Sequence, residues 1–271
     1  MGRALRHIEQ RKRAKRILAD LMERPDRVVI IHYSCESFYD RPDGSSPRVT
    51  SIAVRHLDTG QTYSFSIHQM AERKKCPIEG HYDELERQML DEFYEYVKTH
   101  ANYKWLHWNM RDANYGFQAI DHRYRVLGGE PVEILENERI DLSDIVEQIY
   151  GRHYVAHPHM KNLVDKNNIT SRSFLSGAEE AECFERGDYV KLHQSTLRKV
   201  DVLTDIARMA DEGSLETDAG WRQQYGLHPQ AFAEWLNEHW LGTFIGFISS
   251  IIGILGVLYA GLKWIFRIPL P

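Results

Sequence analysis

Cysteine is scarce in this sequence of 271 residues. Its three cysteines, Cys35, Cys76 and Cys183, are scattered and odd in number, which argues against a disulfide framework and indicates a reducing compartment. Their spacing matches no zinc site. The sequence also lacks a glycine-rich phosphate loop, a Gly-x-Ser-x-Gly nucleophile motif and a Cys–His nucleophile pattern. These absences remove the commonest sequence signatures of nucleotide hydrolysis and acyl transfer.

An excess of positive charge is missing as well. The formal net charge is −5 at pH 7, which argues against a general polyanion-binding protein. Positive charge is nevertheless concentrated in the first half of a helix predicted over 1–25, which Pro25 should end. Its basic residues are Arg3, Arg6, Arg11, Lys12, Arg13, Lys15 and Arg16. This helix can contact nucleic acid or anionic lipid, or it can pack its apolar side on its own domain, and the sequence leaves both interpretations open.

Charge is completely absent from residues 240–262. About 20 apolar residues in a helix are enough to cross the ~30 Å hydrocarbon core of a bilayer. Aromatic and cationic residues prefer the membrane interface, and they stand here at the ends of the run: Trp240, Tyr259, Lys263, Trp264 and Arg267. A fully buried core helix is the alternative, but no other stretch is long or apolar enough to enclose one. The sequence therefore predicts one transmembrane helix.

Small residues recur every three or four positions within this run. They are Gly242, Gly246, Ser249, Gly253, Gly256 and Ala260, and at that spacing they share one helical face. Such stripes let helices approach closely in lipid, although glycine is also common in transmembrane helices generally. The regularity favours self-association. Because the run contains no acid, base or histidine, a proton relay or an ion-coupled transporter is not indicated.

The N-terminus shows no apolar signal region, and few residues follow the span. We therefore expect a tail-anchored, single-pass protein of the bacterial inner membrane, with its N-terminal domain in the cytosol. Lys263 and Arg267 favour the opposite orientation under the positive-inside rule, but moving a folded domain across without a signal is less favourable. The predicted parts are a basic helix (1–26), a domain (27–212), a hinge with an amphipathic entry (213–239), the transmembrane helix (240–263) and a short tail (264–271).

The region 27–212 has the pattern of an α/β domain. Apolar, β-branched runs and alternating segments predict strands, and amphipathic segments predict helices. We expect a mixed sheet flanked by helices, with strands at 28–34, 48–57, 61–67, 104–108 and 132–135, and helices at 82–100, 114–127, 142–151, 178–186 and 196–210.

Two short motifs within this pattern carry a family resemblance. The first strand ends in His32-Tyr33-Ser34-Cys35-Glu36, and the fourth is followed by His107-Trp108-Asn109-Met110-Arg111-Asp112. With the order of elements, these segments resemble the RNase H-like fold of the DEDD 3′–5′ exonucleases over residues 28–210. The resemblance implies carboxylates that hold two Mg²⁺ or Mn²⁺ ions, hard cations that prefer oxygen ligands, and a general base near the last helix.

The carboxylates of that family are only partly present. Glu36 matches the family's Glu, but Ser34 stands where its Asp should be. The second motif is one residue shorter than the family's, and His193 and Asp201 are too far apart, while Lys199 falls near the expected carboxylate. We therefore predict a degenerate domain without catalytic residues, metal or cofactor, which binds a nucleotide, a strand end or a protein. The alternative, a metal-dependent nuclease, would use Glu36, Asp112, His193 and Asp201.

Two groups of residues are candidates for ligand binding. Asn109, Arg111 and Asp112 follow a strand end, where α/β folds place ligands. Ser195, Arg198 and Lys199 could open a helix that faces an anion, although Ser195 could equally be an ordinary N-cap. His153, His157 and His159 could approach a metal, but without a companion acid or Cys a polar loop is the favoured interpretation.

Three functions remain in view. In the first, the domain senses a signal or a protein or nucleoprotein regulator, and the striped helix assembles with its copies to disrupt the inner membrane. This architecture is similar to transmembrane effectors of bacterial anti-phage systems (retron, cyclic-nucleotide and Argonaute-associated types), which act by abortive infection; the analogy concerns architecture alone. The second is a tail-anchored 3′–5′ exonuclease or other nuclease. The third is an anchored scaffold whose stripe packs on a partner's helix.

Overall fold

The computed structural model describes residues 3–36, 46–112 and 114–220. Nearly all of them belong to one compact unit, Arg11–Ala219. A second unit combines Met1–Gln10 with Gly220–Pro271, and the predicted transmembrane helix with its small-residue stripe lies outside the described residues. Within the described ranges, no helix is both long enough and apolar enough to cross a bilayer.

A five-stranded mixed sheet forms the centre of the unit Arg11–Ala219. Its strands are β1 (Val28–Cys35), β2 (Val49–His56), β3 (Thr62–Ser66), β4 (Lys104–His107) and β5 (Arg139–Asp141). The order across the sheet is β3-β2-β1-β4-β5. β2 is antiparallel to β1 and β3, whereas β1, β4 and β5 are parallel. The carboxyl ends of β1 and β4 therefore lie side by side at one end of the sheet.

Helices cover both faces of the sheet. One face carries α1 (Arg3–Glu23), α5 (Leu142–Tyr150), α6 (His159–Lys166) and α8 (Tyr189–Glu212), and the other carries α2 (Ile67–Lys74), α3 (Tyr82–His100) and α4 (Phe117–Val126). A further helix, α7 (Gly177–Glu185), precedes α8 and packs on it. The predicted α/β class, with a mixed sheet flanked by helices, is confirmed.

The central strand β1 is buried along its whole length, which accounts for its continuous apolar run. Because successive side chains point to opposite faces, Val28 and Ile30 join the core beneath α8, whereas Val29 and Ile31 join the core beneath α3. Burial of each such side chain stabilises the fold by about 1.5–3 kcal/mol. This strand is the wall shared by the two cores.

The basic helix α1 packs on its own domain from Arg11 onward. Ala14, Leu18 and Leu21 are buried in the first core, and the buried Arg11 donates from Nε to the carbonyl of Ile149 at 3.1 Å. Arg13 and Arg16 stay exposed. The packing interpretation is thus confirmed for this part of the helix, while contact of its exposed face with nucleic acid or lipid stays a prediction.

Three element predictions need correction. The strand predicted at 132–135 is wrong, because these residues pair with no strand of the sheet and the fifth strand is β5 instead. The helix predicted at 196–210 begins at Tyr189, about two turns earlier. The helix predicted at 114–127 begins at Phe117. The short helices α2 and α6 were not predicted.

Candidate functional site

The end of β1 holds a buried network of hydroxyl groups. Ser34 lies with its Oγ 2.8 Å from Thr196 Oγ1 and 3.2 Å from Glu180 Oε1. Ser51 on β2 approaches the same Thr196 hydroxyl at 2.7 Å. The hydroxyl groups at this strand end thus have their hydrogen-bond partners in other parts of the domain.

A buried ion pair lies at the centre of this network. Lys199 Nζ on α8 is 2.7 Å from Glu180 Oε1 on α7, and the two residues are only 5% and 1% exposed. Ser195 donates its hydroxyl to the same Glu180 oxygen at 2.8 Å. Charges removed from water in this way need a partner and further hydrogen bonds. The pair therefore fixes α7 against α8 and places the Lys199 ammonium near Ser34, which contacts the same Glu180 oxygen.

His32 is the polar residue of β1 whose side chain lacks hydrogen-bond partners among the described residues. It is 5% exposed, and neither ring nitrogen has a hydrogen-bond partner among the described residues. Burial, followed by the nearby charge of Lys199, lowers the pKa of His32 well below its ordinary value. The ring is therefore neutral at physiological pH, with one N–H donor and one nitrogen acceptor.

A cavity of about 480 Å³ opens over His32. That volume lies in the range of small-molecule sites. Three aromatic side chains contribute to its walls, namely Trp108, Tyr115 and Phe174. The polar and charged side chains that line it are His32, Asn109, His157, His159, Lys161, Ser176 and Lys199. The cavity thus combines aromatic walls with several cationic or hydrogen-bonding groups.

The aromatic walls are held in place by the sheet. Tyr115 stacks on Tyr33 with ring centroids 4.6 Å apart and donates its hydroxyl to the Tyr33 carbonyl at 3.2 Å. Its ring centroid is 6.5 Å from that of His32. On the opposite side, Lys199 Nζ lies 5.6 Å from the centroid of the Phe174 ring, within reach of a cation–π attraction.

The amino terminus of α7 also lines the cavity, through Ser176, Gly177 and Ala178. Ser176 and Glu179 form a capping box, in which the Ser176 hydroxyl accepts from Glu179 N and the Glu179 carboxylate accepts from Ser176 N. Gly177 and Ala178 are the first two helical residues, so no carbonyl of the helix accepts their N–H groups. Hydrogen bonds with Ser176 lower the pKa of Glu179, and the positive charges of Lys161 and Lys199 lower it further.

Of the first predicted ligand group, Asn109 alone lines this cavity. Asn109 has a φ of 54°, and its backbone N–H donates to Asp141 Oδ1 at 3.2 Å. Arg111 lies close to it, with its Nη2 3.5 Å from Asn109 Oδ1 and its Nε 2.7 Å from Asp141 Oδ2. Asp112 accepts the backbone N–H of Asn114 at 2.9 Å and so stabilises its own turn. The structure thus keeps Asn109 and Arg111 together around Asp141, whereas Asp112 has a local role.

The helix-start interpretation of the second group is wrong. Because α8 begins at Tyr189, Ser195 is an internal, buried helix residue and not an N-cap. Arg198 donates to the carbonyl of Arg172 and pairs with Asp201. Lys199 does line the cavity, but it does so from the middle of a helix. The helix start at this cavity is that of α7.

The four residues of the nuclease alternative do not come together. Glu36 is bonded to the backbone of Arg48 at the β1–β2 end, whereas Asp201 pairs with Arg55 and Arg198. His193 is buried against His68. Across the described ranges, no group of three or more His, Cys, Asp or Glu residues is arranged to hold a metal ion.

The histidine loop that precedes α6 forms one rim of the cavity. The rings of His157 and His159 stack with centroids 3.7 Å apart, and Pro158 between them follows a cis peptide bond. Both histidines line the cavity, so the loop is more than a solvated connection. They form no metal site with the other residues that the structure describes.

Several residues of the cavity were not identified from the sequence. Tyr115 and Phe174 line the cavity, and Glu180 pairs with its Lys199. These three residues come from separate segments, and nothing in their local sequence marks them. His32 did carry a signal, since a histidine inside the apolar run Val28–Cys35 is an unusual residue for a buried strand. Comparison with protein-family models, curated proteins and solved structures finds no match to this chain.

Proposed function

We propose that this chain is a membrane-anchored effector of a bacterial anti-phage system, in which an RNase H-like domain recognises a signal and does not cut nucleic acid. The observation that carries the recognition role is the buried Lys199–Glu180 pair beside Ser34. The resembled exonucleases carry metal-binding carboxylates at the end of their first strand, where this chain has Ser34. Hydroxyl groups and an ammonium are already paired there.

The fold supports the RNase H-like assignment. An RNase H-like sheet has its three antiparallel hairpin strands first and then two strands parallel to the first, with the site at the carboxyl ends of the first and fourth. The order β3-β2-β1-β4-β5, with β2 antiparallel to its neighbours, agrees with that plan. The cavity at the ends of β1 and β4 agrees with it as well.

Electrostatics favour recognition over two-metal catalysis. Two divalent cations need several carboxylates, because each ion brings two positive charges and prefers oxygen ligands. At this site Ser34 is uncharged and Lys199 is cationic, so the nearby Glu180 is already neutralised. An anionic or neutral ligand suits such a site better than a metal ion does.

The membrane part of the proposal rests on residues 240–262. Their uncharged, glycine-striped sequence supports a helix that assembles with its copies in the inner membrane. A single helix must associate to open a pore, which gives the stripe a role that simple anchoring would not require. The recognition domain would then control this assembly through its ligand or partner.

The test compares inner-membrane potential, by a voltage-sensitive dye, in bacteria that express the full chain or residues 1–239. We expect depolarisation with the full chain alone. In parallel, the purified full chain should release no nucleotides from DNA or RNA with Mg²⁺ or Mn²⁺, and Glu36→Gln should change nothing. Growth arrest by the truncated chain, or metal-dependent degradation abolished by Glu36→Gln, would replace this proposal with the nuclease.

A further inference from the structure

The cavity over His32 contains the parts of a binding site for a phosphorylated, ring-bearing ligand. Three features of the cavity bear on its ligand: the buried imidazole of His32, the start of α7 with its nearby lysines, and the aromatic side chains. Each feature restricts the ligand independently of the others.

The buried imidazole requires a hydrogen-bonding ligand group. His32 lines the cavity and leaves both ring nitrogens without partners among the described residues. A buried polar group without a partner costs about 1–3 kcal/mol. A neutral imidazole can donate through one nitrogen and accept through the other. Its complement is a ligand atom that accepts from one ring nitrogen or donates to the other, as the polar atoms of a nucleobase edge do.

The start of α7 and its neighbouring cations favour an anion. The N–H groups of Gly177 and Ala178 are free of helical acceptors, and the positive end of the helix dipole adds to them. Lys161 and the stacked pair His157–His159 line the same cavity. Lys161 is half exposed and also pairs with Asp165, so it remains able to turn toward a second anion. Phosphate is the anion that such helix starts commonly bind.

The aromatic walls favour a flat ring. Trp108, Tyr115 and Phe174 line the cavity, and Tyr115 is fixed by its stack on Tyr33. Stacking of a nucleobase on an aromatic side chain contributes about 1–3 kcal/mol. The cavity of about 480 Å³ is of a size that holds one small ligand and no folded macromolecule.

We propose that this cavity binds a nucleoside monophosphate without a metal ion, with the phosphate at the start of α7 and the base between the aromatic walls and His32. This inference rests on the proposed function, because it names the ligand that the recognition domain would sense. A metal-free site follows from the chemistry: backbone N–H groups and Lys161 neutralise the phosphate, a task that metal ions perform in the exonucleases.

The experiment measures binding to the full chain in detergent micelles by isothermal titration calorimetry with EDTA present. The probes are AMP, GMP, CMP and UMP, the four corresponding nucleosides, and inorganic phosphate. We expect at least one monophosphate to bind. The affinities of its nucleoside and of inorganic phosphate should be lower than that of the monophosphate by about tenfold or more. Equal affinity for phosphate alone would overturn the base-binding half of the proposal, and equal affinity for the nucleoside would overturn the phosphate half.

A matched pair of variants tests the phosphate position. Gly177→Pro removes one N–H group, and proline is well tolerated at the first position of a helix. Gly177→Ala keeps that N–H group and serves as the control. Since a hydrogen bond to a charged group contributes about 1.5–3 kcal/mol, Gly177→Pro should weaken monophosphate binding about tenfold or more, and Gly177→Ala about twofold or less.

A second variant tests the base position independently. His32→Leu keeps the buried volume and removes both nitrogens, so it should weaken binding of the monophosphate and leave the ellipticity of the domain unchanged. Failure of every monophosphate to bind below about 1 mM, or affinity insensitive to both Gly177→Pro and His32→Leu, would overturn this inference. The depolarisation and nuclease measurements would be unaffected by that result, so the two proposals fail separately.

Discussion

At the scale of single residues, the ion pair of Lys199 with Glu180 sets the charge and the hydrogen bonding at the end of β1. The pair is buried, and the hydroxyl groups of Ser34 and Ser195 donate to its carboxylate. The domain contains another buried ion pair, Arg123 with Glu86, which joins α4 to α3 and does not line the cavity. The Lys199–Glu180 pair differs because its lysine also lines the cavity.

Replacing Lys199 should reveal its structural contribution. Lys199→Met keeps a side chain of similar length and leaves the Glu180 carboxylate buried without its cation. We expect the free energy of unfolding to fall by about 3 kcal/mol, measured by urea unfolding of the full chain followed by circular dichroism. The double variant Glu180→Gln/Lys199→Met removes both charges and should recover about 1 kcal/mol or more of that loss.

The control for this measurement is the exposed pair of Lys191 with Asp188. Lys191→Met should cost about 0–1 kcal/mol, as exposed pairs do. If Lys199→Met is no more costly than Lys191→Met, the buried pair does not stabilise the domain.

A buried histidine should make the domain sensitive to acid. His193 Nδ1 is 3.4 Å from His68 Nε2, and burial, followed by the charge of His68, lowers the pKa of His193 from 6.5 to about 4. Between these values the unfolded chain binds a proton that the folded chain does not. Stability is therefore greatest above pH 6.5 and decreases as the pH falls toward about 4.

The variant His193→Gln should flatten this dependence. Its free energy of unfolding should change with pH less steeply than that of the unaltered chain, by up to about 1.4 kcal/mol per pH unit. The measurement is urea unfolding at several pH values between about 4.5 and 7.5. The exposed His122→Gln is the control, and an unchanged slope in His193→Gln would show that other groups cause the acid sensitivity.

At the scale of elements, the loop between β4 and α4 sets one wall of the cavity. It carries Asn109 and Tyr115 and returns to the sheet at Gly116, whose N–H donates to Tyr33 Oη at 2.9 Å. A Cβ at Gly116 would lie 2.4 Å from the Met110 carbonyl oxygen. Only glycine allows the two ends of this loop to approach so closely.

Gly116→Ala should therefore be strongly destabilising. The clash is with backbone atoms, which cannot move without opening the loop, so we expect a loss of about 2 kcal/mol or more in the free energy of unfolding. Gly80→Ala is the control, because Gly80 has a φ of +81° but no atom within 4 Å of the added Cβ. It should cost about 1 kcal/mol. Equal costs for the two variants would mean that backbone conformation, and not close approach, is responsible.

The elements that the sequence predicted well are those with a strong, local pattern. The buried run of β1, the hairpin β2–β3 and the amphipathic α3 all carry their periodicity within one segment. The prediction of the fifth strand was wrong because Val132 and Ile134 alternate as strand residues do. The strand that the sheet contains, β5, has three residues and is defined by its pairing with β4. The start of α8 was placed wrongly because Ser195 resembled a cap, although it is a buried residue inside α8 that donates to Glu180 of α7.

The site was less predictable than the fold, because its residues come from distant parts of the chain. Asn109 and Lys199 were selected from the sequence, and both line the cavity. Glu180 was not, since it bonds to Ser34 across 146 positions and no local pattern records that contact. Ser34 at the end of β1 was visible in the sequence, but the ion pair beside it became visible only with the packing of α7 on α8.

At the scale of the whole molecule, the proposal joins a recognition domain to a helix that acts in the membrane. The cavity and the buried pair concern the domain formed within Arg11–Ala219, and the effector step concerns residues 240–262. The two parts make separate demands on the sequence: hydrogen-bonding groups and charges in the first, small residues in the second. They can therefore be tested by substitutions that do not overlap.

Bulky substitutions in the small-residue stripe should abolish depolarisation. Gly246→Ile or Gly253→Ile would keep the helix apolar and able to insert, but the larger side chain would hold helix backbones apart and prevent close association. Ile251→Leu, on the face opposite the stripe, is the matched control and should depolarise like the unaltered chain. The readout is the voltage-sensitive dye in expressing bacteria, with membrane fractionation to verify insertion. Because the control and the stripe variants differ in the face that they alter and not in apolar character, loss of depolarisation in the stripe variants alone would attribute the activity to helix association. Full depolarisation by Gly246→Ile and Gly253→Ile would instead leave the stripe as packing for a partner's helix.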